Sequence, residues 1–149
     1  MFGDLNNQAI EHLLKYQLLG HIGCHANDKT YIVPICYAYD DGCIYGRTFE
    51  GMKIRIMREN PKVCFQLEHV ESMGKWQSVI CWGEFEELTD KDKRDKGIKV
   101  LQNRVTAIMG DKNLLVSNHW PFALNDSDYK EGIIFCIHIS EKTGKFEMI

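Results

Sequence analysis

The run from Thr30 to Tyr39, TYIVPICYAY, followed at once by Asp41-Gly42 and then CIYGR, constrains this chain more than any other stretch. Nearly all ten residues are apolar or aromatic, several are β-branched, and Asp-Gly is among the strongest short hairpin signals. An earlier run over 18–26 ends in Asn27-Asp28-Lys29, a second turn signal. Three consecutive strands are therefore expected to form an antiparallel meander. Pro34 falls in mid-strand, where it cannot donate a ladder hydrogen bond, so its strand belongs at a sheet edge or at a bulge.

The rest of the chain continues in the same style. Asn6 or Asn7 can cap a first helix whose Ile10, Leu13 and Leu14 recur at helical spacing, ending near Gln17. A second helix is expected from Gly51 to about Glu59, stopped by Asn60-Pro61. In VCFQLE, Val63, Phe65 and Leu67 alternate with Cys64, Gln66 and Glu68. A long strand follows from Trp76 to about Leu88, with Val79, Cys81 and Phe85 on one face. Thr89 with Asp92 resembles a capping box and predicts a helix to about Met109, buried along Leu101, Val105 and Ile108. Its DKDKRDK stretch reads as a solvated face. A polar loop over 110–132 holds His119-Trp120-Pro121, and the chain ends in IIFCIHIS and KFEMI, read as two strands joined by a turn at Thr143-Gly144. About seven largely antiparallel strands with three helices make a mainly β chain that most simply closes into a small barrel with peripheral helices. No linker or repeat divides it, so residues 1–149 read as one domain.

Charge and cysteines narrow the function. A net charge of −3 gives no general grip on nucleic acid or an anionic membrane. No stretch reads as a signal peptide or a membrane span, so a cytoplasmic protein is expected. The six cysteines show no CxxC and no Cys/His pair at zinc-motif spacing, and read as core filler. His12, His69 and His138 have no companion at ligand spacing, and His21 and His25 sit four apart in a strand, which is not a helical ligand pair. Glu84, Glu86 and Glu87 read as a solvated strand end. No carboxylate dyad or nucleophile–base triad stands out.

One junction does carry chemistry. Between the strand ending at Thr48 and the helix starting at Gly51 stand Arg47, Thr48, Gly51 and Lys53. A helix start exposes unpaired N–H groups and the positive end of the dipole, glycine permits close backbone approach, and lysine adds charge. That combination suits a phosphate. It lacks the spacing of a Walker loop. The competing reading is an ordinary strand–turn–helix with solvated basic residues.

The order VPI, IY, GxK, NPxVCF and WxSV, carried by IVPICYAY, IYGRTFEGMKI, RENPKVCFQLE and KWQSVICWGEFEEL, resembles the FMN-binding split-barrel superfamily over most of the chain. The resemblance is to proteins related to pyridoxamine 5′-phosphate oxidase and to the nitroimidazole-resistance branch. It implies a split β-barrel that forms a homodimer and holds FMN in clefts at the subunit interface. By the same resemblance Gly51 and Lys53 match phosphate-turn positions, with Met52 where many relatives carry arginine, so that Arg47 or Arg55 would compensate. Arg47 and Thr48 fall on the strand end that approaches the flavin. Gln77 or Ser78 would face the ring, only one of them pointing inward. Val33 and Pro34 would lie against it, with Phe49, Trp76 and Trp120 as aromatic walls, although Trp82 in particular reads as a core residue. Nitroimidazole-resistance relatives tend to have histidine at the position of Arg47, which weakens transfer of that activity. Pyridoxamine phosphate oxidation is not expected either, because the C-terminus TGKFEMI lacks the Arg- and Trp-containing segment that binds that substrate. The expected activity is a flavin-dependent oxidation or reduction of a small molecule. The alternative is a non-catalytic flavin or haem binder on the same barrel.

Overall fold

A computed structural model of the chain describes residues 1–108 and 131–149. In chain order the elements are β1 (Phe2–Asp4), α1 (Asn7–Tyr16), β2 (Leu19–Ala26), β3 (Lys29–Cys36), β4 (Ala38–Asp40), β5 (Cys43–Thr48), α2 (Met52–Glu59), β6 (Lys62–Ser72), β7 (Lys75–Glu87), α3 (Lys91–Ile108) and β8 (Ile133–Met148). Seven strands lie in the order β3-β2-β6-β7-β8-β5-β4, and β1 pairs with the far end of β8. Every pairing is antiparallel.

That order explains the barrel. Its two edges, β3 and β4, are consecutive in the chain and joined by Tyr37 alone. One residue cannot cross a flat seven-stranded sheet, so the sheet curls until its edges meet, leaving a split between β3 and β4. Tyr37 is buried at that join, and its hydroxyl donates to the Leu14 carbonyl at 2.8 Å. Pro34 sits on an edge strand, as its missing N–H requires. Asn27, Asp28, Asp41 and Gly42 all have positive φ, the backbone of tight hairpin turns whose twist suits their strands.

Alternation sorts the barrel into two faces. Ile22, Ile35, Ile44, Val63, Phe65, Leu67, Val79, Cys81, Phe85, Phe135 and Ile137 point inward. Ile10, Leu13 and Leu14 of α1 and Ile54, Ile56 and Met57 of α2 plug the same core. Each such side chain stabilises the fold by roughly 1.5–3 kcal/mol when fully buried. A second, smaller core lies between α3 and the outside of β5 and β8, built from Tyr45, Leu88, Leu101, Ile134 and Cys136.

Four expectations change. TYIVPICYAY is not one strand: it breaks at Tyr37, so that β3 pairs with β2 and β4 with β5. The final two strands are one, since β8 runs through Thr143-Gly144 without a turn. Gly144 answers to packing: a Cβ there would stand 2.8 Å from Leu5 Cδ1 and 3.0 Å from Ile10 Cγ1. The α3 cap is Asp90 rather than Thr89, its Oδ2 accepting from the Lys93 N–H at 3.2 Å. Along the expected α3 stripe Leu101 is fully buried and Val105 half-buried, while the side chain of Ile108 lies outside the described residues. Finally Trp82 is 40% exposed, because a face that buries Cys81 and Phe85 turns residue 82 outward.

Candidate functional site

Among the described residues Arg47 and Thr48 are the two buried polar side chains, 8% and 9% exposed. They close β5 and point to opposite faces: Thr48 shares the barrel side with Ile44, and Arg47 the α3 side with Tyr45. Arg47 Nε donates to the Glu131 carbonyl at 3.2 Å, and its guanidinium lies 4.9 Å over the Phe49 ring. Gly132, at φ 88°, passes so close that a Cβ would stand 3.0 Å from the Thr48 carbonyl. The start of β8 is thereby laid against the end of β5. Phe49 itself is 44% exposed.

The helix start that follows carries no side-chain cap. Gly51 occupies the N-cap of α2 with no side-chain hydrogen bond. The first intrahelical bond is Arg55 N–H to the Gly51 carbonyl at 3.2 Å, so the N–H groups of Met52, Lys53 and Ile54 have no acceptor within the helix. A Cβ at Gly51 would meet nothing nearer than the Phe49 carbonyl at 4.0 Å. The room above this turn is open, and the chain's own packing does not demand glycine. Lys53 is half-buried, burial pulls its pKa down, and none of the described residues offers it a carboxylate. Arg55 and Met52 are exposed.

A clamp that the sequence does not advertise holds this turn. Arg58, one helical turn and a half further on, forks onto Glu50 at 3.0 and 2.9 Å and reaches Glu87 of β7 with Nε at 2.7 Å. The guanidinium holds the Glu50 carboxyl below its usual range. It also cancels a negative charge that would otherwise face the helix start. Glu86 and Glu87 are thus both paired, not simply solvated as expected, while Glu84 is exposed.

The other expected residues lie elsewhere on the barrel. Val33 is half-buried and Pro34 exposed on the edge strand β3. Gln77 takes the inward parity of Val79, and Ser78 the outward parity of Ile80. Both stand at the far end of β7, paired with Phe146 and Lys145, whereas Arg47 and Thr48 pair with Ile134 and Ile133. Trp76 is at that far end too, bonded to Glu147 at 3.0 Å. Within one chain the structure brings together Arg47, Thr48, Phe49, Gly51, Met52 and Lys53, but not Gln77, Ser78 or Trp76. Trp120 and His119 lie outside the described residues.

The outer face of the sheet shows two registered rows, Pro34–His21–Gln66–Ile80 and Ile32–Gly23–Cys64–Trp82. Ile32 is 69% exposed. An open groove of about 710 Å³ runs past Ile32, Gly23, Cys64 and Trp82. His21 Nδ1 is buried with no hydrogen-bond partner among the described residues, which native proteins seldom tolerate.

The cysteines are all free. Burial pushes the Cys81 and Cys136 thiols up to about 12, as befits small apolar groups. The reading of His138 as companionless is corrected, however: its ring lies within 3.4 Å of the sulfurs of both Cys43 and Cys136. The available signal was Cys136-Ile137-His138, two residues apart in a strand and hence on one face.

A split antiparallel barrel with a basic, uncapped helix start after its fifth strand places the chain among small β-barrel domains with peripheral helices. Over residues 6–145 the chain matches the family model described as pyridoxamine 5′-phosphate oxidase, and it belongs to that family. It is 30% identical over 133 residues to an uncharacterized protein of Rhizobium meliloti, covering 85% of this chain and 83% of the relative. Its fold is similar to that of an FAD-binding protein from Mesorhizobium loti, with TM-score 0.73 and 25% identity over 100% of this chain and 98% of that one. It is similar in fold also to the FAD and haem binding protein from Mycobacterium smegmatis, with TM-score 0.70 and 14% identity over 95% of this chain and 71% of that one.

Proposed function

We propose that this chain binds a flavin nucleotide, FMN, and uses it to oxidise or reduce a small molecule. One observation carries the reading: a half-buried lysine with no carboxylate partner among the described residues stands beside an uncapped helix start under open space. A phosphate answers all three at once, since it accepts from the free N–H groups, neutralises Lys53 and fills the room above Gly51. Full-length similarity to an FAD-binding protein supports a flavin as the owner of that phosphate. When bound, the flavin supplies the hydride or electron chemistry. Lys53 and the first turn of α2 would hold the phosphate, Thr48 and Arg47 would flank it, and Phe49 would wall the site. The Arg58 clamp keeps Glu50 from repelling it.

The reading includes a homodimer. The outer rows expose Ile32, Ile80 and Trp82 together, an apolar strip best covered by a second copy, and His21 Nδ1 on the same face has no hydrogen-bond partner among the described residues. A haem or non-catalytic flavin binder is the second reading, favoured by the fold shared with a protein that binds both groups. Purification without added cofactor, a visible spectrum, and mass spectrometry of the released ligand test all of these. Flavin bands with released FMN are the expected result. Released FAD would keep the phosphate turn and replace the nucleotide, and a Soret band would select haem. A colourless protein that also refuses added FMN and FAD would overturn the flavin reading.

A further inference from the structure

We propose that Glu86, Cys136 and His138 form a binding site for a zinc(II) ion on the α3 side of the sheet, separate from the β5–α2 junction. The backbone alone brings the donors together. Cys136 and His138 are two apart in β8 and share a face, Glu86 of β7 is registered with Cys136, and Cys43 of β5 is registered with His138. Their side chains then converge. His138 Nε2 lies 2.8 Å from Glu86 Oε1 and 3.3 Å from Cys136 Sγ, and Cys136 Sγ lies 3.9 Å from the same carboxylate oxygen. Three donor atoms, one nitrogen, one sulfur and one oxygen, form a triangle small enough to share one ion.

The size fits. Zinc takes nitrogen and oxygen at about 2.0–2.2 Å and sulfur at about 2.3 Å, so tetrahedral geometry separates its ligands by roughly 3.4–3.6 Å. The observed sides bracket that range, and the adjustments fall on Glu86 and His138, which are partly exposed, rather than on the buried Cys136. The remaining contacts suit the same ion. Lys93 of α3 holds Glu86 through Oε2 at 2.9 Å, leaving Oε1 for the metal. Cys43 Sγ sits 3.4 Å from His138 Nδ1, where it can take that N–H and fix the ring with Nε2 toward the ion. Thiolate, imidazole and carboxylate together favour zinc over calcium or magnesium. His138 is half-exposed, so the fourth position opens to water. Binding displaces the Cys136 thiol proton and ties β7 to β8 beneath α3.

The test is titration of the reduced, chelator-treated protein with zinc(II), followed by calorimetry, and with cobalt(II), followed by absorbance. Expected are one zinc per chain and a thiolate-to-cobalt charge-transfer band. His138→Ala and Cys136→Ser should abolish the band, Glu86→Gln should weaken zinc binding by about tenfold or more, and Cys43→Ala by about tenfold. Cys64→Ser, a thiol on the other outer row, should change nothing. Because Cys136 is buried and its variant can misfold, His138→Ala and Glu86→Gln carry the test alone, with circular dichroism checking each. Absence of the band in the native chain, or its survival in His138→Ala, would overturn the site.

Discussion

Lys53→Met is the most direct probe of the phosphate turn. The lysine is half-buried beside an uncapped helix start, and methionine keeps its length and apolar stem while removing the charge. A charge-assisted hydrogen bond to a phosphate contributes about 1.5–3 kcal/mol. FMN affinity should therefore fall about 10- to 150-fold. Riboflavin, which has the same ring and no phosphate, should bind both proteins alike. Quenching of flavin fluorescence measures all four affinities. Equal losses for FMN and riboflavin, or none for FMN, would refute the assignment of Lys53 to the phosphate. Stability of the empty protein should move the other way. Burial lowers the Lys53 pKa below its ordinary 10.5, so the unfolded chain holds that proton more tightly. Native empty protein thus gains stability as pH rises from the folded pKa toward 10.5, and Lys53→Met should lose that part of the pH dependence while being no less stable at neutral pH. A lysine that merely packed its stem would show neither the ligand selectivity nor the altered pH slope.

Gly144→Val tests the unbroken β8. Its Cβ would press on Leu5 and Ile10, so unfolding in urea should show a loss of about 1–3 kcal/mol; an unchanged midpoint would mean that this glycine does not seat β1 and α1. Ile32→Lys places a charge on the exposed edge strand, where folding has little to lose. Light scattering at micromolar concentration should find a dimer in the native chain and a monomer in the variant, and a native monomer would remove the proposed interface.

The sequence made the barrel wall readable because burial is one-sided. Val63, Phe65 and Leu67 could only share a face, and so could Val79, Cys81 and Phe85. Trp82 was misread as core from the general tendency of tryptophan to pack inward, although the parity opposite to Cys81 turns it outward. What escaped depends on contacts distant in sequence. The break at Tyr37 follows from the meeting of two sheet edges, which no local pattern encodes. Gly144 looked like a turn residue, but its small size serves Leu5 and Ile10, more than 130 residues away in the chain. The residues of the proposed phosphate turn could be named together because they are contiguous. The zinc cluster was not, because Glu86 and Cys43 reach Cys136 and His138 only through strand register. Arg58 and Glu50 escaped for a similar reason: their bond crosses a bend in the chain at the start of α2.

Register also decides what the proposed flavin site requires. Measured along β8, the partners of Thr48 and Arg47 are separated from those of Gln77 and Ser78 by about a dozen residues, roughly 40 Å of extended chain. That exceeds the end-to-end length of FMN. If both ends of the barrel wall touch one flavin, as the family resemblance implies for Gln77 or Ser78, they must belong to different chains. Ser78 lies on the same outward face as Ile80 and Trp82, the surface a second copy would cover. Cofactor binding and dimerisation would then be linked: each flavin bound stabilises the dimer by mass action, and each dimer formed completes two sites. A charge at Ile32 should accordingly weaken FMN without touching the phosphate turn. Lys53→Met should weaken the dimer only when flavin is present. That asymmetry separates a ligand site shared by two chains from a barrel that dimerises for reasons of its own.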